Sequence, residues 1–457
     1  MRAKFILYPA LTLLARLHRP RLAARLLAMS VRPLPSQKQA SINSDTAFRV
    51  LVLNLNKPGF LEDIEDSLLS DGSFSVVCWP NYVLKAFATG LLAPQLNNKR
   101  YDSDDPAIET SKQNYRRFLT AMWDHYRKIV PTDAVISANF GYFAQREFGA
   151  ALKALRTPFV VLHKENVKSP DRVKYWEPIY RTRGAFEGSK ILVYNATERN
   201  LQISTGVASP EQVLVTGMPR LDRIHHWRRE RARQRRGDRP PQLLFFSFWR
   251  KEKLTATERI TDARTRIDAA EGKWAELSWT GLCEGTHKAI VELARQNPNA
   301  RVVIKTKAHS RRVDDILDIL KENGQGLPTN ISIISGGDPF PLLMESDVVV
   351  GFNTTALLEA LAAGKPVIVP QFAEADDTRM QPLVIDVGAG VERARSTDDL
   401  IRLANTYLRA PPAVPEEMSS AASQSLRYWV GNDDGKASQR VQELVRSEIL
   451  ASRRRQP

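Results

Sequence analysis

The feature that most constrains this chain is the alternation of short apolar runs with helix-length stretches, repeated in two series. The first series has strand-like runs at Phe48–Asn54, Ser75–Trp79, Asp133–Ser137, Phe159–His163, Lys190–Tyr194 and Gln212–Thr216, with helical patterns over 60–69, 111–129 and 143–155. The second has Gln242–Ser247, Arg301–Lys305, Ile331–Ile334, Asp347–Val350 and Pro366–Val369, with helices over 276–296, 312–323, 355–363 and 397–409. Runs that are apolar along their whole length bury both faces, which indicates parallel sheets covered by helices on each side. The break between the series is the Arg-rich stretch 228–239 followed by Pro240-Pro241. The pattern predicts an α/β protein of two Rossmann-like domains facing across a cleft, with ligands beyond the carboxyl ends of the strands. The 457 residues suit about two or three domains. The expected organisation is a basic amphipathic segment (1–32), a polar linker (33–47), a first domain (48–227), an Arg-rich linker (228–241), a second domain (242–410) and a helical tail (411–457).

The net charge of +15 invites a nucleic-acid reading, and its distribution argues against one. Residues 1–38 hold eight Arg or Lys and no acid, residues 228–239 hold seven Arg against Glu230 and Asp238, and Arg453, Arg454 and Arg455 close the chain. Together these stretches carry +16, so the remainder is almost neutral. A nucleic-acid-binding fold should carry its basic face on the domain itself. The run Phe5–Ala15 is too short to span a bilayer, which needs about 20 residues. Leu7, Leu11 and Leu14, then Leu22, Leu26 and Met29, recur at helical spacing among arginines. An interfacial helix pair on an anionic membrane surface is expected, placing the protein peripherally on the cytoplasmic face of the inner membrane. The rival readings are an amphipathic helix packed on the body and a cleaved signal peptide. Two cysteines, Cys78 and Cys283, cannot build a disulfide framework.

The most informative stretch is Ser346–Pro370. A buried strand ends at Gly351, and Phe352, Asn353, Thr354 and Thr355 lead into a helix carrying Glu359. Such a turn can hold phosphate, and a carboxylate one turn further on can accept the hydroxyls of a ribose. The bland alternative is an ordinary helix cap with a surface Glu. Together with Gly364-Lys-Pro366, this stretch resembles the donor-binding domain of the GT-B glycosyltransferases. Val215-Thr-Gly-Met-Pro-Arg-Leu-Asp222, Leu244–Arg250, Val303–His309 and Tyr428–Lys436 with Arg440 resemble segments of surface-polysaccharide transferases, including the CDP-glycerol glycerophosphotransferase-like group.

That resemblance implies a donor nucleotide on Ser247, Arg250, Lys305, Lys307, His309, Phe352, Asn353, Thr354, Thr355 and Glu359. It also implies donor-sugar contacts from Gln371, Asp376 and Asp377. Cations at strand ends suit a departing nucleotide without a metal, although Lys and Arg there are ordinarily just solvated. A base for an acceptor hydroxyl should end a strand of the first domain, which points to His163 or Glu165. Asn54, Asn56 and Lys57 follow the first strand and are expected on the acceptor side. His225-His226 lacks a third ligand nearby, so no metal and no cofactor are expected.

The sequence thus reads as a GT-B transferase moving a sugar or polyol phosphate from a nucleotide sugar to a saccharide or lipid-linked saccharide of the cell surface. A nucleotide-sugar 2-epimerase on the same fold is the alternative, followed by a non-catalytic polysaccharide-assembly scaffold. Nucleic acid is not an expected partner.

Overall fold

The computed structural model describes residues 2–34, 47–53, 59–70, 72–96, 101, 105–164, 166–234, 237–252, 254, 277–307, 310–321 and 327–455. The chain divides into two compact units. Unit 1 comprises Met1–Asn166, Val173–Arg223 and Val430–Pro457, and unit 2 comprises Val167–Arg172 and Ile224–Trp429.

Unit 1 is built on a seven-stranded sheet in the order β1-β3-β2-β4-β5-β6-β7. Its strands are β1 (Arg32–Pro33), β2 (Phe48–Leu53), β3 (Phe74–Cys78), β4 (Ala134–Ser137), β5 (Phe159–Leu162), β6 (Lys190–Val193) and β7 (Val213–Val215). All pairings are parallel except that of β1, which runs antiparallel along β3. Successive side chains feed opposite cores, as the period of two requires. Leu51, Leu53, Val135, Val161, Ile191 and Val193 join one core, and Val50, Val52, Ile136, Val160, Leu162 and Leu192 the other. The first core receives α1 (Arg2–Arg16), α2 (Pro20–Ser30), α4 (Val83–Leu91), α5 (Pro106–Ile129) and α6 (Phe143–Ala154). At its centre Trp79 stacks on Phe148 and meets Trp123 and Tyr126 edge-on. The second core is closed by α3 (Phe60–Leu68) and by α16 (Ala437–Arg454), through Val441, Val445 and Ile449. The last helix therefore helps to cover the sheet of unit 1. Also in this part of the chain lie α7 (Pro170–Arg181) and α8 (Ala196–Ser204).

Unit 2 carries an all-parallel sheet of six strands in the order β10-β9-β8-β11-β12-β13. These are β8 (Gln242–Phe246), β9 (Arg301–Thr306), β10 (Ile331–Ser335), β11 (Val348–Gly351), β12 (Val367–Pro370) and β13 (Glu392–Ala394). The helices are α9 (Asp222–Ala232), which begins at the division between the units, α10 (Thr280–Gln296), α11 (Ser310–Lys321), α12 (Phe340–Glu345), α13 (Ala356–Ala362), α14 (Thr397–Arg409) and α15 (Ser420–Val430). Two Rossmann-like α/β units are thus present.

The Arg-rich stretch differs from the plain linker over 228–241 read from the sequence. Its first part is helical, within α9, and three of its described arginines are engaged in unit 2. Arg228 is buried and donates to the Ala362 carbonyl at 3.1 Å, and Arg233 pairs with Glu416 at 2.9 Å. Arg239 grips Asp347 with two bonds of 2.7 and 3.0 Å. Planar guanidinium forks favour such paired contacts, which a count of charge along the sequence does not reveal.

Candidate functional site

In unit 2 the strand order reverses direction between β8 and β11, which are neighbours. Two loops leave in opposite senses there, at the carboxyl ends of the strands, the place where open α/β sheets bind ligands. The loop after β8 begins at Ser247, and the loop after β11 is Phe352 to Thr355. Several sequence-predicted residues are therefore brought to this one place by topology.

The second loop is shaped by close packing. A Cβ on Gly351 would lie 3.0 Å from Leu357 and 3.3 Å from Phe246. Asn353 has φ of 51°, in the left-handed region that Asn tolerates better than most residues. Its amide donates to the Leu383 carbonyl at 3.0 Å, and its Oδ1 accepts from the Ile385 amide at 3.1 Å. That side chain is a tie between loops. Phe352 is buried against Phe248 and Trp279, with ring centroids 5.1 and 4.9 Å away, so it braces the loop from inside. Thr354 Oγ1 accepts a long bond of 3.4 Å from the Ala356 amide. Thr355, at the cap position of α13, makes no side-chain cap bond. Both threonines are partly exposed, and Glu359 is buried on α13.

Ser247 meets a residue that sequence reasoning missed. Its Oγ lies 2.9 Å from Nε2 of His287 on α10, and His287 Nδ1 lies 2.7 Å from the Cys283 carbonyl. The carbonyl can only accept, so Nδ1 carries the proton and Nε2 accepts the Ser247 hydroxyl. Burial pushes the His287 pKa down to about 4, against the opposing bond to Cys283 and with help from the Arg250 charge. The imidazole is therefore neutral and orients the serine.

The described cations predicted for the nucleotide, Arg250, Lys305 and Lys307, have protein partners. Arg250 pairs with Glu284 at 2.9 Å, and Lys307 pairs with the buried Glu252. Lys305 donates to the carbonyls of Thr306 at 3.2 Å and Gly336 at 2.5 Å, and burial lowers its pKa. His309 lies outside the described residues. In the loop after β12, Gln371 Oε1 accepts from Arg393 at 3.3 Å, and Asp376 is exposed. Bonds from Arg379 hold the Asp377 carboxyl below its ordinary range. Glu374 in that loop binds the Gly281 and Leu282 amides, each at 2.8 Å, and so caps α10.

In unit 1, His163 follows β5 and is buried. Its Nε2 is 3.2 Å from Glu198 and 3.4 Å from the Tyr180 hydroxyl, which itself donates to Glu198 at 2.8 Å. Gln202 adds a bond of 2.8 Å to the same carboxylate, while His163 Nδ1 has no hydrogen-bond partner. The α8 turn that delivers Glu198 is fixed by Asn195, which accepts the Glu198 amide at 2.9 Å. Glu165, Asn54, Asn56 and Lys57 lie outside the described residues. A cavity elsewhere in unit 1, lined by Tyr101, Lys112, Arg116 and Arg183, contains none of the sequence-predicted residues, and Glu109 and Glu147 already pair with Lys112 and Arg116 there.

Two segments singled out by resemblance bind each other within unit 1. Arg220 of the 215–222 segment pairs with the fully buried Asp63 at 3.1 Å, and Tyr194 donates to the same carboxylate at 2.6 Å. Asp222 accepts from Asn432 at 2.6 Å, from the Ala437 amide at 3.2 Å and from the Ser438 amide at 2.7 Å, capping α16. Gly217 has φ of +83°, and a Cβ there would sit 2.3 Å from the Gly431 carbonyl oxygen. The two segments form a structural clasp. Of the His225-His226 pair, His225 is buried and His226 faces Glu230 at 3.1 Å. Among the described residues no group of three or more His, Cys, Asp or Glu is placed to hold a metal.

No protein-family model matches the chain, and no curated protein matches it in sequence. Solved structures do match. A structure described as a putative UDP-N-acetylglucosamine 2-epimerase from Listeria monocytogenes has a TM-score of 0.50 at 13% identity, covering 89% of this chain and 97% of its own. UDP-GlcNAc 2-epimerase from Neisseria meningitidis, bound to UDP-GlcNAc, gives 0.48 at 14% identity, covering 88% of this chain and 100% of its own. Anabaena Alr3699/HepE, in complex with UDP and glucose, gives 0.42 at 12%, covering 88% and 100%. The Listeria match shows the expected GT-B-like fold of Rossmann-type units. It also corrects the transferase reading of the sequence, because the protein sharing this fold is described as a 2-epimerase, an isomerase. The narrower resemblance to the CDP-glycerol group receives no support from these matches.

Proposed function

We propose that this protein binds a nucleotide sugar on unit 2 and acts on it as a nucleotide-sugar 2-epimerase. The observation that carries the reading is the strand order of unit 2, which sets Ser247 and the Phe352–Thr355 loop on either side of the switch point. The description of the Listeria structure that shares the fold supports the choice of reaction. In this reading the Thr354 and Thr355 hydroxyls and nearby backbone amides receive the diphosphate, with Glu359 on the ribose side. Gln371 and Asp376 are the sugar-side candidates, and Asp377 holds their loop through Arg379.

Inverting a carbon centre requires a proton to leave one face and return to the other, so acid–base groups are needed. Glu165 is proposed as such a group. His163, buried against Glu198 and Tyr180, is proposed to hold the end of β5 in place rather than to touch substrate.

The test has two readouts. Thermal melts with CMP, CDP, UDP, GDP and dTDP should show stabilisation by one nucleotide, about 2.7 kcal/mol at a hundredfold excess over Kd. Thr355→Val should weaken that binding by about fivefold for one lost hydrogen bond. Proton NMR of the matching N-acetylhexosamine nucleotide in D2O should show deuterium entering C2 with no acceptor present, and Glu165→Gln should abolish it. Binding without exchange would overturn the epimerase assignment, and no stabilisation by any nucleotide would overturn the site.

A further inference from the structure

The N-terminal helices have two unlike faces. Inward, Leu11, Ala15, Ala23, Ala24 and Leu27 are buried in the first core of unit 1. Outward, Phe5 is 76% exposed, Ile6 75%, Leu13 55%, Leu17 56%, Leu22 48% and Met29 79%. These are six of the eleven large apolar side chains most exposed among the described residues, within the first 29 positions. Exposed apolar residues scattered singly need no explanation, but a concentration of them does. Ile6 and Leu13 on α1, with Leu17 just beyond its end, form one outer stripe at helical spacing opposite Leu11 and Ala15.

Cations border this stripe and acids do not. Arg16, Arg19 and Arg25 are exposed on or between the two helices, Arg21 is bonded to His125 at 3.0 Å, and residues 1–38 contain no Asp or Glu. From the packed neighbour α5, Asp124 is already paired with Arg127 and Lys128, and Glu109 with Lys112. We propose that the outer face of α1 and α2 docks onto an anionic lipid bilayer, with the apolar stripe among the acyl chains and the arginines at the headgroups.

A second copy of the chain fits this face poorly. A two-fold interface sets the same patch against itself, so arginine would face arginine. A spanning role fails on length. The 15 residues of α1 rise about 22 Å against a hydrocarbon core of about 30 Å. No helix among the described residues is long and apolar enough to cross a membrane. Leu7, Leu11, Leu14 and Leu26, read from the sequence as part of the lipid side, pack on the body instead, and the proposed lipid face is the opposite side of the same helices.

The test is flotation of the full chain with vesicles of phosphatidylcholine alone and of phosphatidylcholine with phosphatidylglycerol. Binding should require the anionic lipid and fall with added salt. Arg16→Gln with Arg19→Gln should reduce partitioning by about thirtyfold, near fivefold for each arginine at the surface. Phe5→Ser, Ile6→Ser and Leu13→Ser together should abolish it while leaving the thermal melt in place, since all three are exposed. Should that variant lose its cooperative melt, the arginine pair carries the test alone. No flotation at low salt would overturn the proposal, as would flotation unchanged by the substitutions. Reversible dimers broken by the apolar substitutions, seen by light scattering without lipid binding, would overturn it in favour of self-association.

Discussion

Replacing Asp222 with Ala should release α16 from unit 1. The carboxylate accepts three bonds, from Asn432 and from the Ala437 and Ser438 amides. Loss of a helix N-cap costs about 0.5–2 kcal/mol. The Asn432 side chain is fully buried, so a lost partner there adds about 1–3 kcal/mol. Asn432 keeps its bond to the Met218 carbonyl at 2.8 Å, which favours the lower part of that range. A local cost of about 2 kcal/mol results, equivalent to about a thirtyfold loss of protection. Because the chain has two units, a single melting temperature would blur the effect. Native-state hydrogen exchange of the amides around Val441, Val445 and Ile449 reads it locally. Asp222→Asn keeps one acceptor oxygen and should lose only about 1 kcal/mol. Unchanged protection of α16 in Asp222→Ala, or a loss confined to unit 2, would refute the clasp.

Two pH effects should also be measurable. Burial, only partly offset by Arg223 and reinforced by Asp63, Asp222 and Glu65, raises the Asp66 pKa to about 7. The folded state then holds this proton more tightly than the unfolded chain. Its stabilising effect is full below about pH 4 and is lost as pH rises through about 7. Asp66→Asn should therefore stabilise unit 1 by about 1–2 kcal/mol at pH 8 and by little at pH 4. Equal gains in urea titrations at both pH values would refute it. The sign for His287 is opposite: with its pKa lowered to about 4, its contribution is full above about 6.5 and fades as pH falls through about 4. Its ring proton should show no NMR titration down to pH 5, and a midpoint near 6.5 would contradict the buried Ser247–His287 pair.

Much of the fold was legible because buried parallel strands are largely apolar, as Leu243–Phe246 of β8 and Val348–Gly351 of β11 are. β13 was missed because Glu392-Arg-Ala394 is an edge strand with polar character. α7 contains Pro178, so it did not announce itself. For the site, Ser247 could be found because it ends a strand. His287 could not, since its contact with Ser247 spans 40 residues and on its own helix it sits among core residues. The segments 215–222 and 428–436 stood out by resemblance alone, with no chemistry assigned to them, and within unit 1 their Gly217, Gly431 and Asp222 hold a backbone crossing and a helix cap.

The strand-end cations can now be ranked for the proposed nucleotide site. Lys305 is buried and bonded to two carbonyls, so turning it toward a phosphate would strip both. Lys307 is exposed, but its partner Glu252 is only 6% exposed, and taking the lysine away would leave a carboxylate uncompensated in a poor solvent for charge. Arg250 differs: it is 46% exposed, and Glu284 is 27% exposed, so opening that pair costs about 1 kcal/mol or less. Arg250 is therefore the described cation best able to exchange its protein carboxylate for a ligand phosphate. Glu284→Gln should then tighten binding of a nucleoside diphosphate by up to about fivefold, because the guanidinium no longer has to leave a charged partner. The gain should vanish in Glu284→Gln combined with Arg250→Gln. Calorimetry showing equal affinity for the wild-type chain and Glu284→Gln would remove Arg250 from the site and leave the phosphate to the Thr354–Thr355 turn.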